Sequence, residues 1–258
     1  MPQLLCTVRN CHQPLHREGD RYFCERSHSF DVARSGYINL LQPQDRRSRD
    51  PGDSIAAIEG RRRFLDRGFA EPLRRTIADL VKKGPLLDAG CGDGYYLGAL
   101  SIEDRCGIDI STAAIDLAAR RVPGCQWVVA NADRFVPYAD GSFATVMSIT
   151  GRMNRAEFRR VLVNDGRLLV AVSAPDDLVE LRGASRDRVQ RTIDSFGPDF
   201  TLIERGRAST VADLDAEAVR DIRAATYRPR SRAEGAARVT LSLDLLLFRP
   251  AGPLPQSA

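Results

Sequence analysis

Apolar positions recur with two different periods along this chain. Ile55, Ile58 and Leu65, then Leu73, Ile77 and Leu80, return at helical spacing. They predict one helix over roughly residues 54–67, capped by Asp53 or Ser54, and a second ending at Gly84. From Pro85 onward short apolar runs alternate with helical patterns. Strands are expected at Leu86–Ala89, Cys106–Ile110, Trp127–Ala130, Ala144–Ile149 and Arg167–Ala171. Helices are expected over residues 95–100, 112–121 and 155–163. This alternation predicts a parallel sheet with helices on both faces. Farther on, Phe200–Arg207 and Val239–Phe248 read as long strands flanking a helix near 215–225. The run Val239-Thr-Leu-Ser-Leu-Asp-Leu245 alternates strictly, as a half-solvated antiparallel strand does.

Two stretches fall outside this rhythm. Residues 1–40 lack long apolar periods and cannot build a core alone, and residues 41–53 form a charged connector. Residues 229–236 and 250–258 read as a loop and a tail. The resulting division is a small N-terminal domain over 1–40, a basic connector with helices over 41–84, and an α/β domain over 85–258.

The strand Leu86–Ala89 runs into Asp88-Ala-Gly-Cys-Gly-Asp-Gly-Tyr95, a D-x-G-x-G-x-G turn. Gly90, Gly92 and Gly94 remove side chains where backbone must approach a ligand closely. A second acid, Asp109, ends the next apolar run and can hold a ribose hydroxyl pair. The first acid lies inside the strand–turn unit. That favours S-adenosylmethionine (SAM) over a dinucleotide, and with it a class I SAM-dependent methyltransferase fold: Rossmann-like, with a mostly parallel seven-stranded sheet. In that fold Asp88 and the amides of Gly90–Gly94 would hold the methionine portion. Tyr95, Tyr96 and Leu97 would line the sulfonium side, and Ile110 would pack on adenine. Asn131, with Ala132, would face the adenine amino group, with a turn role as its alternative. Thr150 and Gly151 would edge the methyl-transfer position.

Charge adds a second theme. Residues 1–83 hold 16 Lys and Arg against 11 Asp and Glu, whereas residues 84–258 hold 22 against 23. The excess points to a polyanionic partner of the N-terminal third, with a generally arginine-rich composition as the alternative. Arg46, Arg47 and Arg49, then Arg61, Arg62 and Arg63, are the clusters available for phosphate, with a solvated helix face as the other reading of the second. No run of about 18 apolar residues exists, so no membrane span is expected. The first residues lack a secretory pattern, and a cytoplasmic protein is expected. Six cysteines without such a pattern argue against a disulfide framework.

Three of those cysteines cluster. Cys6-x4-Cys11-x12-Cys24-x3-His28 sets two close pairs about a dozen residues apart. Thiolate and imidazole suit a closed, structural Zn²⁺ site, which would supply the folding free energy this segment lacks. His12 and His16 compete with His28 for the fourth position.

Several segments together resemble the bacterial 23S rRNA guanine-N1-methyltransferase family, which includes tylosin-type macrolide-resistance enzymes. They are the Cys/His set with Cys11-His-Gln-Pro-Leu15, Gly36-Tyr-Ile-Asn-Leu-Leu41, Arg47-Ser-Arg-Asp-Pro-Gly-Asp-Ser54, Arg62-Arg-Phe-Leu-Asp66, the glycine turn, and Leu178-Val-Glu-Leu-Arg-Gly183. The resemblance implies a zinc domain that recognises a 23S rRNA hairpin, joined to the SAM domain, and pairing as a homodimer. Departures fall in the first cysteine pair, in Ser148–Asn154, and between Leu181 and Tyr227. Asp177 and Asp50 are the carboxylates proposed to take the guanine N1 proton. Methylation of another RNA position or of a small molecule, or a catalytically inactive RNA-binding factor, are the alternatives.

Overall fold

A computed structural model describes residues 1–46, 51–225 and 235–252. The connector residues Arg47, Arg49 and Asp50, and Tyr227, lie outside them.

The N-terminal unit is a three-stranded antiparallel sheet of β1 (His16–Glu18), β2 (Arg21–Phe23) and β3 (Ser29–Asp31). Its few apolar side chains do not close a core of their own. Leu4, Leu15, Cys6, Cys11 and Cys24 join one buried cluster with Val128 and Val146 of the large sheet and with Tyr138. Leu5 N–H donates to Pro137 C=O at 3.0 Å, and Leu4 bridges Tyr138. The next strand, β4 (Ile38–Asn39), leaves this unit and pairs in parallel with β7 (Gln126–Val129).

Helices α1 (Ile55–Asp66) and α2 (Glu71–Leu80) follow. Ser54 caps α1, its Oγ accepting Ala57 N–H at 3.2 Å. The central strands are β5 (Leu86–Ala89), β6 (Arg105–Asp109), β7, β8 (Phe143–Ile149) and β9 (Leu162–Ser173). Between them lie α3 (Thr112–Arg121) and α4 (Arg155–Val161). After β9 come the short α5 (Val179–Arg182), α6 (Val189–Phe196), β10 (Phe200–Leu214), α7 (Ala216–Ala224) and β11 (Ala237–Pro250). The sheet order is β10-β11-β9-β8-β5-β6-β7-β4, with β11 antiparallel to both β10 and β9 and every other pair parallel. This is the class I methyltransferase arrangement, and the mostly parallel sheet agrees with the sequence reading. β4 makes the sheet one strand wider than the seven expected, because only tertiary docking gives Ile38–Asn39 a partner.

Three other expectations change. Residues 95–100 form only a 3-10 turn at Leu97–Ala99. Gly98 sits where a Cβ would lie 2.8 Å from Val122 of the α3 end, too close for a helix carrying side chains there. β11 is not half-solvated: Ser242 and Asp244 are buried, since the strand lies between β10 and β9 with helices over its faces. Asp244 is neutralised by Arg207 at 3.0 Å. Helices α5 and α6 were not among the expected elements, although Val189, Ile193 and Phe196 of α6 recur at helical spacing.

Candidate functional site

A cavity of about 450 Å³ opens at the carboxyl ends of β5, β6, β7 and β8, where parallel sheets of this kind hold ligands. Asp88, Gly90, Gly92, Tyr96, Asp109, Ile110, Asn131, Ala132, Thr150 and Gly151 all line it. Asp88 is 2% exposed, and its Oδ1 has no hydrogen-bond partner among the described residues. Burial first, and the nearby Asp109 second, push its carboxyl up to about 8, with Arg61 acting in the opposite direction. Asp109 is clamped by backbone: Ser111 N–H donates to Oδ1 at 2.8 Å and Gly92 N–H to Oδ2 at 2.9 Å. Burial raises its pKa and these two N–H donors oppose the rise.

Several predicted residues stand elsewhere. Gly94 faces the core, where a Cβ would meet Trp127 at 2.5 Å. Leu97 is fully buried, and Tyr95 packs under Arg74, whose guanidinium lies 4.8 Å from the ring centre. These three support the glycine turn from behind and do not line the cavity. Only one residue of Tyr95-Tyr96-Leu97 can point into the cavity when the turn is this short. Asn131 does line it, but its Nδ2 donates to Asp45 C=O at 2.8 Å and its Oδ1 accepts Asp133 N–H at 3.1 Å. Its amide therefore ties the connector and its own turn in place. Asp177 lies outside the cavity wall, with Oδ1 accepting Ser242 N–H at 3.0 Å and Oδ2 bound to Arg182 at 2.5 Å. Burial raises its pKa, opposed by Ser242 N–H and Arg182. Both of its oxygens are thus engaged away from the cavity. Asp50, the other proposed base, is outside the described residues.

The sequence reading missed part of the wall. Pro51, Gly52 and Asp53 of the connector, with Ile58 and Arg61 of α1, cover the cavity. Arg61 forms no ion pair among the described residues. Arg62 instead bonds Asp93 at 3.1 Å and Asp66 at 2.7 Å, and Arg63 bonds Asp221 at 2.7 Å. This second basic cluster thus fastens α1 to the glycine turn and to α7, and does not form a free phosphate surface. Helical spacing alone could have separated Arg61 from its neighbours, but not identified which faced the ligand.

The cysteines form a second site. The ligand atoms of Cys6, Cys11, Cys24 and His28 all lie within 4.8 Å of one another. Cys11 and Cys24 Sγ are 3.8 Å apart, and His28 Nδ1 lies 3.4 Å from Cys6 Sγ and 3.5 Å from Cys24 Sγ. A tetrahedral Zn²⁺ with bonds of about 2.3 Å to sulfur needs S···S edges of about 3.8 Å. The set therefore fits zinc, and it is closed. His12 stacks on Phe135 at 4.3 Å and His16 is exposed on β1, so neither joins the four.

Comparison with known proteins agrees with both sites. Residues 5–49 match the zinc-ribbon family model "RlmA, N-terminal", and residues 86–170 match a methyltransferase domain. The 23S rRNA (guanine(748)-N(1))-methyltransferase of Streptomyces fradiae is 30% identical over 269 residues, covering 93% of this chain and 95% of that one. The chain belongs to the 23S rRNA (guanine-N1)-methyltransferase family. A Bacillus subtilis protein described as a member of that family, YxjB, is 38% identical over 61% of this chain and 60% of its own length. Among solved structures, a chain in complex with the Trm112 methyltransferase activator of Haloferax volcanii shares the fold. It has a TM-score of 0.54 at 18% identity and covers 79% of this chain and 99% of that one. Fold, family and cavity together make this protein a SAM-dependent methyltransferase carrying a zinc-ribbon unit. No helix among the described residues is long and apolar enough to cross a membrane.

Proposed function

We propose that this protein transfers a methyl group from SAM to N1 of a guanine in 23S rRNA. The observation that carries the reading is one cavity in which Asp88 offers an unpaired buried oxygen beside an Asp109 clamped by two backbone N–H groups. Within a member of this family, that pair matches the two polar ends of SAM. Asp88 takes the amino group, whose positive charge offsets the cost of the buried carboxylate. Arg61 faces the same end and takes the carboxylate, as a guanidinium does bidentately. Asp109 keeps lone pairs for the ribose hydroxyls, and Ile110 packs on adenine. Gly90, Gly92 and Ala132 leave room for the ligand.

When bound, SAM supplies an electrophilic methyl group on a good leaving group. Positioning is then the main contribution of the protein. Thr150 and Gly151 form the cavity edge from which the base is approached. The guanine N1 proton must depart as the N–C bond forms. Asp177 lies outside the cavity wall with both oxygens engaged, which leaves Asp50 as the candidate to take that proton.

The resemblance carries three finer readings: an rRNA hairpin as substrate, recognised through the zinc ribbon, a homodimer as the working assembly, and a cytoplasmic location. The test is mass spectrometry of nucleosides after incubation with 23S RNA from a strain lacking the modification. New 1-methylguanosine is the expected result. Its absence, with SAM bound, would overturn the reading.

A further inference from the structure

A second depression, of about 970 Å³, opens beside the cofactor cavity. Met153 forms one side, and the segment joining α5 to α6 with the first turns of α6 forms the other. Arg152 lines the cofactor cavity and Met153, the next residue along the chain, lines this groove. The groove wall carries Arg182, Arg186, Arg188 and Arg191 against a single acid, Asp187. Asp187 is occupied in accepting Val189 N–H at 2.8 Å, and Arg182 is held by Asp177. Arg186, Arg188 and Arg191 are exposed and form no ion pair among the described residues. Met153 is an exposed apolar side chain on the groove wall.

We infer that this groove holds the ribose–phosphate backbone of single-stranded RNA next to the base entering the methyl-transfer cavity. The inference rests on the RNA-methyltransferase reading above and adds where the strand lies. Three unpaired guanidinium groups along one wall match successive phosphates, which they bind bidentately. The wall contains no aromatic ring. Phosphate contact, not base stacking, therefore dominates, and the binding is strongly salt-dependent. Met153 offers a polarisable apolar surface to the base nearest it.

The test compares wild type with an R186Q/R188Q/R191Q variant and with Met153→Ala. Binding of a labelled single-stranded 23S rRNA fragment is followed by anisotropy across a salt series, with SAM affinity as the folding control. The triple variant should bind RNA at least about tenfold more weakly at 0.1 M salt. Its log K against log salt slope should be shallower by about 2, at about 0.7 per lost phosphate contact. SAM affinity should stay within about twofold. Met153→Ala should weaken RNA binding without changing the slope. An unchanged slope in the triple variant, while wild type binds and methylates RNA, overturns the groove assignment alone. Failure of wild type to bind any RNA overturns both readings. Displacement of the probe by polyglutamate as readily as by unlabelled RNA would assign the groove to an acidic protein segment and overturn the inference.

Discussion

Gly52 lies directly against Ser111: a Cβ added to Gly52 would sit 2.7 Å from the Ser111 Cβ. Gly52 also has φ +100°, where side chains are strained. This contact brings the connector over the cofactor cavity at the point where Ser111 N–H orients Asp109. The Pro51-Gly-Asp53 segment is thus a wall of the site as well as a link between two units.

Gly52→Ala should therefore push the connector off Ser111 and open the cavity. SAM affinity should fall by about tenfold, in line with the 1–3 kcal/mol that such backbone strain costs. Isothermal calorimetry checks this. Wild-type affinity in the variant would mean that the connector does not close on the ligand.

Asp88 gives a prediction with two opposite signs. Its carboxyl is pushed up to about 8 from an ordinary value of 3.8. The folded protein holds this proton at pH values where the unfolded chain has released it. The Asp88 contribution to stability is therefore full below about pH 4, declines as pH rises towards 8, and levels off above that. Asp88→Asn should raise the melting temperature of the ligand-free protein at pH 8–9 and change it little near pH 4. The same variant should bind SAM about 10- to 100-fold more weakly, through loss of a charged hydrogen bond. Thermal melts across pH and calorimetry read both effects. Unchanged SAM affinity would remove Asp88 from the binding site.

Asn131 separates two readings of one residue. An acceptor for adenine would work better as aspartate. An anchor for Asp45 C=O would not, because a carboxylate cannot donate to it. Asn131→Asp is expected to weaken SAM binding about three- to tenfold by releasing the connector, at the cost of one hydrogen bond. Tighter binding would restore the adenine role.

Asp177→Asn should act on stability and not on proton transfer. It leaves Arg182 without its partner and weakens acceptance from Ser242 N–H. A loss of up to about 3 kcal/mol is expected, as for a broken buried pair. The pH profile of methylation by the remaining folded enzyme should keep its shape. A displaced profile with an unchanged melting temperature would return Asp177 to the reaction.

Freshly purified protein should contain about one zinc per chain, the stoichiometry of one closed four-ligand site. Cys24→Ser should remove it. Leu4 and Leu15 share a buried cluster with Tyr138 and Val146, so the loss should also lower the melting temperature of the whole protein. Metal-free wild type would refute the zinc site.

Features that depend on neighbours along the chain were legible before any folding. Ser54 and Ser111 cap their helices because a hydroxyl reaches N–H groups three residues on. Strand Leu86–Ala89 and its glycine turn follow from apolar run and glycine spacing, and the Cys/His pairs from short-range geometry. Asp88 and Asp109 were legible for the same reason. The tertiary structure alone decided what depends on distant segments meeting. It turned Arg61 towards the cavity and Arg62 towards Asp93, although one helix carries both. It spent Asp177 on Ser242 and Arg182, and it set Gly94, Tyr95 and Leu97 behind the turn against Trp127 and the core. It also brought Arg186, Arg188 and Arg191 to one wall beside Met153, from segments more than 30 residues apart. Periodicity reports which face of an element is buried; which partner lies across that face is fixed only when the layers pack.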